Sequence, residues 1–196
     1  MMLMIMIVTP STELDAVNEI LSSVGSSPVN SLEDDANVDV LNAVRILKAV
    51  SQEIQSRGYS FNTLTSVTLK PDSFTNKVAY GRDFLRAVST SYKFVSREGY
   101  FYDLDSGALE FPEGITLDEL VKELPFEELP QVFRKYITVR ASRVFQMRYL
   151  TSADIDAHLQ LEESAAYADI VDYELTDGNY NILNDDQFIS QQTQRS

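Results

Sequence analysis

His158 is the single histidine of the chain, and it is the first residue to consider as a metal ligand or general base. It lies on a predicted helix with Asp154, Asp156 and Glu162 nearby. A zinc or similar metal site needs three or four nitrogen, oxygen or sulfur ligands, and one histidine with acids of its own helix is a weak set. The sequence therefore predicts a surface histidine beside an acid, with no metal and no cofactor.

Paired carboxyl groups could hydrolyse a glycosidic bond if they stood about 5–10 Å apart and one had a raised pKa. Thirty acidic residues supply close pairs by chance. The adjacent pairs Glu127-Glu128 and Glu162-Glu163 point in different directions on a helix, so solvated helix faces explain them better. Glycan hydrolysis by paired carboxylates stays as the alternative function.

Other catalytic signatures are missing from the sequence. It contains no G-x-S-x-G elbow, no Walker loop and no G-x-G-x-x-G. It also contains no cysteine, which excludes disulfides, thiolate metal sites and cysteine nucleophiles. We therefore predict that the protein is not an enzyme.

Composition indicates a globular chain with an acidic surface. Of its 196 residues, 44% are hydrophobic and 23% charged, and the net charge is −14. Free nucleic acid is a poor partner, because each phosphate contact usually needs Lys or Arg. Basic residues do concentrate on the third predicted helix, where they spread around the axis: Arg134, Lys135, Arg140, Arg143 and Arg148. We expect Arg140 and Arg143 to pair with Glu162 and Glu163 or with a neighbouring subunit.

Aromatic residues are frequent, with ten Tyr, ten Phe and no Trp. Many lie in the extended central region, where they could pack a core or form an interface. The residues that we select as candidate interface positions, together with Arg134, Arg140 and Arg143, are Phe84, Tyr92, Tyr100, Tyr102, Tyr180 and Phe188.

Four helices are predicted to position these residues, over about 12–24, 37–57, 130–149 and 153–175. Each has apolar residues at helical spacing. Thr12 or Ser11 can cap the first helix, and Pro130 fits the first position of the third. The fourth helix has the predicted buried stripe Ile155, Leu159, Ala166, Ile170 and Tyr173.

Between the helical pairs, the period changes to that of strands. Tyr59, Phe61, Val67 and Leu69 alternate with polar residues, and extended segments follow to Phe111, which favours an antiparallel meander. Residues 115–124 fit a helix or a strand. The predicted fold class is α+β, an antiparallel bundle of about four helices with an inserted small antiparallel β region.

The predicted domains follow from this pattern. Residues 1–11 form a flexible leader, 12–58 and 125–177 the helical bundle, 59–124 the inserted β region, and 178–196 a C-terminal tail ordered by a partner. The apolar run of residues 1–8 is too short for a membrane helix and lacks the parts of a signal peptide, so no membrane association is expected.

Two long blocks resemble tail tubular protein A, the adaptor or gatekeeper of short-tailed bacteriophages. They are ELDAVNEILSSVGSSPVNSL (13–32) with ILKAVSQEIQSRGYSFNT (46–63), and LPFEELPQVFRKYITVRASRVFQ (124–146). The likeness extends from about residue 13 to 183. The resemblance favours a strand at 115–121. Two features depart from the family: the apolar leader, and Tyr59 at a position where relatives often have Trp.

The resemblance implies a structural virion protein, made in the host cytoplasm and placed in the tail. Copies would form a dodecameric ring as a head-tail connector between the capsid portal protein and the tail nozzle protein. The helical side and the tail after Thr176 would meet the portal, and the loops of 84–111 would meet the nozzle. DNA would pass through the channel without specific binding, helped by acidic walls. A tail-associated glycan hydrolase and a cellular helical interaction module are the rival interpretations.

Overall fold

The computed structural model of the chain describes residues 12–33 and 37–177. Four helices are present there: α1 (Glu13–Ser22), α2 (Val38–Gln55), α3 (Gln131–Tyr149) and α4 (Ala153–Asp177). The strands are β1 (Thr63–Leu69), β2 (Phe84–Val88), β3 (Phe94–Arg97), β4 (Tyr100–Asp103) and β5 (Ile115–Lys122). The predicted α+β class is confirmed. The division into domains stays a prediction, and the leader, the tail, Tyr180 and Phe188 lie outside the described residues.

Local sequence sets the start of each helix. Thr12 and Asp15 form a reciprocal capping box at α1, and the side chain of Asn37 accepts hydrogen bonds from the first turn of α2. Pro130 is the N-cap residue of α3, one position earlier than predicted. Its extended backbone, with ψ of 145°, places it before the first helical residue.

The strands form two separate antiparallel units. A three-stranded sheet has the order β1-β5-β2, and β3 pairs with β4 as a hairpin. The predicted meander is therefore wrong, because the central strand is the last one in the sequence. β5 buries Ile115, Leu117, Leu120 and Val121. A strand with so many apolar residues is most stable at the centre of the sheet, where strands flank it on both sides. Assignment of this segment to a strand is confirmed.

The helical core is organised around Phe133, which is fully buried on α3. Its ring contacts Phe61 at 4.5 Å, Tyr59 at 4.6 Å and Tyr173 at 5.8 Å between centroids. Tyr59 and Phe61 precede β1 in a turn, so the strand predicted from Tyr59 onward begins too early. Their rings extend the core of the bundle because they follow the end of α2 directly.

Two buried amide side chains join the bundle to the sheet. Asn62 donates from Nδ2 to the carbonyls of Gln55 at 3.0 Å and of Lys122 at 2.9 Å. Gln55 accepts from the backbone N–H of Leu124 at 2.8 Å and donates to its carbonyl at 3.1 Å. Because buried polar groups need partners, these four bonds fix where α2 ends relative to β5.

Candidate functional site

A cluster of ion pairs connects α3 to its neighbours. Arg140 reaches Glu163 of α4 at 2.7 Å and Glu53 of α2 at 3.0 Å. Arg143 reaches Glu163 at 3.0 Å and Asp156 at 2.7 Å. Glu163 therefore bridges two guanidinium groups, and three helices share one network.

Hydrogen bonding in this network favours the charged state of Arg140, Arg143 and Asp156. The bond to Glu163 raises the pKa of Arg140, and the bonds to Asp156 and then Glu163 raise the pKa of Arg143. The bond from Arg143 lowers the pKa of Asp156. The predicted partner Glu163 is thus confirmed for both arginines, whereas Glu162 is exposed and forms no ion pair with a described residue.

The other basic residues of α3 have different surroundings. Arg134 is buried and its guanidinium donates to the carbonyl of Glu127 at 3.4 Å. Lys135 forms an exposed pair with Asp169 at 3.0 Å. Arg148 is exposed and forms no ion pair within the described part of the chain. A role for Arg134, Arg140 and Arg143 between subunits stays a prediction, and their charges already have uses inside one chain.

The candidate aromatics of the β region lie at or near its own packed cluster. Phe84 packs against Tyr80 at 5.5 Å, and Tyr92 packs against Phe94 at 5.1 Å. Cations cover two further rings: Lys77 lies 5.3 Å from the centroid of Tyr100, and Arg97 lies 3.8 Å from that of Tyr102. Tyr92 is exposed while the other three candidates are half-buried, so Tyr92 presents the most surface to a partner.

Phe74 is an exposed aromatic that sequence reasoning missed. Phe74 lies in the loop after β1, and 94% of its surface is exposed. Asp72 holds this loop by accepting from the N–H groups of Phe74 at 3.1 Å and Thr75 at 2.9 Å, and Asn76 has a φ of 53°. The signal was an Asp-x-x-Thr turn with an apolar residue at its tip, since such a turn presents its central side chains outward.

A groove of about 650 Å³ lies between the start of α1, α2 and the β2–β5 edge. Three of its carboxylates have partners: Glu123 accepts from Gln52 at 2.9 Å, Asp83 pairs with Lys122 at 2.7 Å, and Glu127 accepts from the backbone N–H of Glu13 at 3.1 Å.

Helix α4 has a second apolar surface that sequence reasoning also missed. Its buried side uses Glu163, Ala166 and Ile170 against α3, as predicted for the two apolar residues. On the opposite side, six exposed residues follow one another in alternate steps of four and three. They form what we call the α4 face: Ala157, Leu161, Ser164, Ala168, Val171 and Leu175. This heptad spacing was visible in the sequence.

The described residues contain neither a metal-ligand cluster nor a helix fit to span a membrane. His158 is exposed on α4, and no cluster of three or more potential metal ligands occurs in residues 12–33 and 37–177. None of the helices in these ranges combines the length and the apolar character that crossing a membrane requires.

Comparison with known protein families identifies the group to which the fold belongs. A family model described as "Tube: Tail tubular protein" matches residues 14–180, and no curated protein matches the chain. The matched range contains the described fold except its first two residues, 12 and 13, and it includes both β units and the ion-pair network. The chain belongs to the tail tubular protein family and is a structural component of a bacteriophage tail.

Proposed function

We propose that this protein is the adaptor of a short-tailed bacteriophage, of the tail tubular protein A type. Copies form a ring that joins the portal of the capsid to the tail nozzle and completes the channel for the genome. Family membership supports a tail component. The observation that carries the finer proposal is that α4 is apolar on two opposite sides, because a helix of this kind is stable when both sides are covered.

Several features support a protein that acts by binding other chains. The α4 face is exposed, and the β region presents Phe74 on a hydrogen-bonded loop. Large exposed apolar surfaces mark interaction sites, and an aromatic ring on a fixed loop loses little conformational entropy on binding. We assign the β-region loops, with Phe74 and Tyr92, to the nozzle, and the helical side with the tail after Thr176 to the portal.

Charge supports passage of DNA without retention. The net charge of the chain is −14, and four of the five basic residues of α3 form ion pairs or hydrogen bonds within the chain: Arg134, Lys135, Arg140 and Arg143. An acidic wall repels phosphate and keeps the duplex mobile. A ring whose lumen displayed these arginines would contradict this part of the proposal.

The test uses DNA-filled capsids that lack the tail but retain the portal. Purified protein is added, and bound copies are counted by mass and imaged by cryo-electron microscopy. We expect a ring at the portal vertex, with nozzle protein binding only after it. The variant Phe74→Ser and its matched control Ser73→Ala, at the neighbouring exposed position, separate the two ends. Phe74→Ser should retain capsid binding and weaken nozzle addition, whereas Ser73→Ala should leave both unchanged. Binding elsewhere on the capsid, or none, would refute the adaptor function.

No observation favours the hydrolase alternative as a second function. Glu163, one of the acidic residues considered for such a pair, is bound by two arginines, and Glu123 and Asp83 of the groove of about 650 Å³ also have partners. Release of sugar from soluble polysaccharide or peptidoglycan, abolished by Glu127→Gln or Glu128→Gln, would restore that alternative.

A further inference from the structure

The α4 face is long and uninterrupted by charge. From Ala157 to Leu175 it extends about 27 Å, at 1.5 Å per residue. Leu161 is 71% exposed, Leu175 64% and Val171 43%. The acidic residues of α4 lie beside or opposite this stripe, so a neighbouring helix could cover it without burying a charge.

Charge decides what can cover this face. Helix α4 contains eight Asp or Glu residues and no Lys or Arg. Asp156, Glu163 and Asp169 are neutralised by α3, but Asp154 and Asp172, which flank the α4 face, form no ion pair with a described residue. Two α4 faces packed together would bring these carboxylates close, and like charges oppose such pairing. The covering surface must be apolar and basic.

Helix α2 has a surface of that description. In steps of three and four residues it exposes what we call the α2 face: Val38, Leu41, Arg45 and Lys48. Val38 is 65% exposed, and neither cation forms an ion pair among the described residues. The remaining exposed surface of α1 is acidic, with Asp15 and Glu19, so α2 is the better match.

A groove beside the α2 face extends this surface onto α3. It has a volume of about 260 Å³ and is lined in part by Arg45, Ala49, Arg148 and Tyr149. Arg148 adds a third cation that forms no ion pair in residues 12–33 and 37–177. Ridges of side chains on one helix pack into such grooves between helices of another molecule.

We infer that the α4 face of one copy packs on the α2 face of the next copy. Apolar residues would meet apolar residues, and Asp154 and Asp172 would lie near Arg45, Lys48 or Arg148. The two faces belong to different helices that each pack on α3, so one copy can use both at once. A contact between two unlike faces repeats from copy to copy and closes into a ring when the rotation allows. The inference rests on the proposed ring and names the surfaces that build it.

Cross-linking can test the pairing directly, because the chain has no native cysteine. Leu161→Cys is combined with Leu41→Cys in one chain, and each single variant is made as well. After treatment with a short bis-maleimide, free in solution and on portal-bearing capsids, the double variant should give a ladder of multimers. Mixed single variants should stop at dimers, and each single variant alone should stay monomeric. Dimers of Leu161→Cys alone would show α4 against α4 and overturn the inference.

Charge variants supply an independent measurement. Leu161→Glu with Leu175→Glu should weaken association between copies about thirtyfold or more, because two large apolar side chains of the proposed interface are replaced by charged ones. Gln160→Glu, an exposed position beside the α4 face, is the matched control and should change association little. Circular dichroism and thermal melting should be unchanged for all, because the substituted side chains are exposed.

Two outcomes separate the inference from the function on which it rests. Rings that form on capsids equally well with the double glutamate variant would overturn the assignment of the α4 face and leave the adaptor function intact. Wild-type protein that never associates, either alone or on portal-bearing capsids, would refute both.

Discussion

Replacement of Glu163 by Gln tests whether the three-helix ion-pair network stabilises the fold. The side chain of Glu163 is 12% exposed and accepts from Arg140 at 2.7 Å and Arg143 at 3.0 Å. Gln keeps the shape and one acceptor oxygen but removes the charge. Each arginine then loses a charged partner in a half-buried environment.

The magnitude follows from what remains after the substitution. Removal of one partner of a buried pair costs about 3–5 kcal/mol when the other charge is left alone. Here Arg140 keeps Glu53 at 3.0 Å and Arg143 keeps Asp156 at 2.7 Å. We therefore expect a loss of about 2 kcal/mol in the free energy of unfolding, below that range, and a fall of about 4–8 °C in Tm.

Urea unfolding at pH 7 and low salt measures this loss, with Asp169→Asn as the matched control. Asp169 pairs with Lys135 at 3.0 Å, and both side chains are about half exposed. Such a surface pair contributes about 0–1 kcal/mol. If Glu163→Gln costs no more than Asp169→Asn, the network is not a stabilising element, and the argument from its burial is wrong.

Further predictions concern packing, pH and backbone conformation. Phe133→Ala should lower the free energy of unfolding by about 3–5 kcal/mol in urea titrations, since it empties a buried ring site; a loss below about 1 kcal/mol would contradict its central place. Hydrogen bonding to Ser106 lowers the pKa of Asp103, and bonding to Arg143 lowers that of Asp156. The stability that these two carboxylates contribute is fully present above the ordinary Asp pKa of about 3.9, and it is lost as the pH falls through their lower pKa values in the folded protein. Thermal unfolding should therefore show a Tm that decreases below about pH 4. The decrease should be less steep in the double variant Asp103→Asn with Asp156→Asn. Gly114→Ala should lower the free energy of unfolding more than Gly25→Ala does. Both glycines have a positive φ, but a Cβ at Gly114 would lie 2.5 Å from a carbonyl oxygen of β1, whereas a Cβ at Gly25 would have nothing within 4 Å. Gly25→Ala should cost about 1–2 kcal/mol for its backbone conformation alone, and equal losses in the two variants would contradict the predicted clash at Gly114.

Helices were predictable because their determinants are local. The capping box at Thr12 and Asp15, the N-cap at Asn37 and the apolar stripes are contained within one element each. Strand order was not predictable in the same way. β1 pairs with β5, which lies some fifty residues later, and the pairing depends on which strand can be buried at the centre of the sheet. The alternation that begins at Tyr59 also looked like a strand, but proximity to Phe133 placed those rings in the helical core.

The candidate surfaces divide along the same line. The sequence by itself determined the acidic balance, the missing catalytic signatures and the helices, because these depend on residue type and short spacing. It offered Glu162, Glu163 or a neighbouring subunit as partners of Arg140 and Arg143, and the structure selected Glu163. The sequence also contained the heptad of the α4 face, but a periodic stripe does not reveal whether the chain itself covers it. Tertiary structure decided that point. α3 packs against one side of α4, and the described chain leaves the other exposed. Which side is covered depends on the positions of distant segments, and no single segment encodes that arrangement.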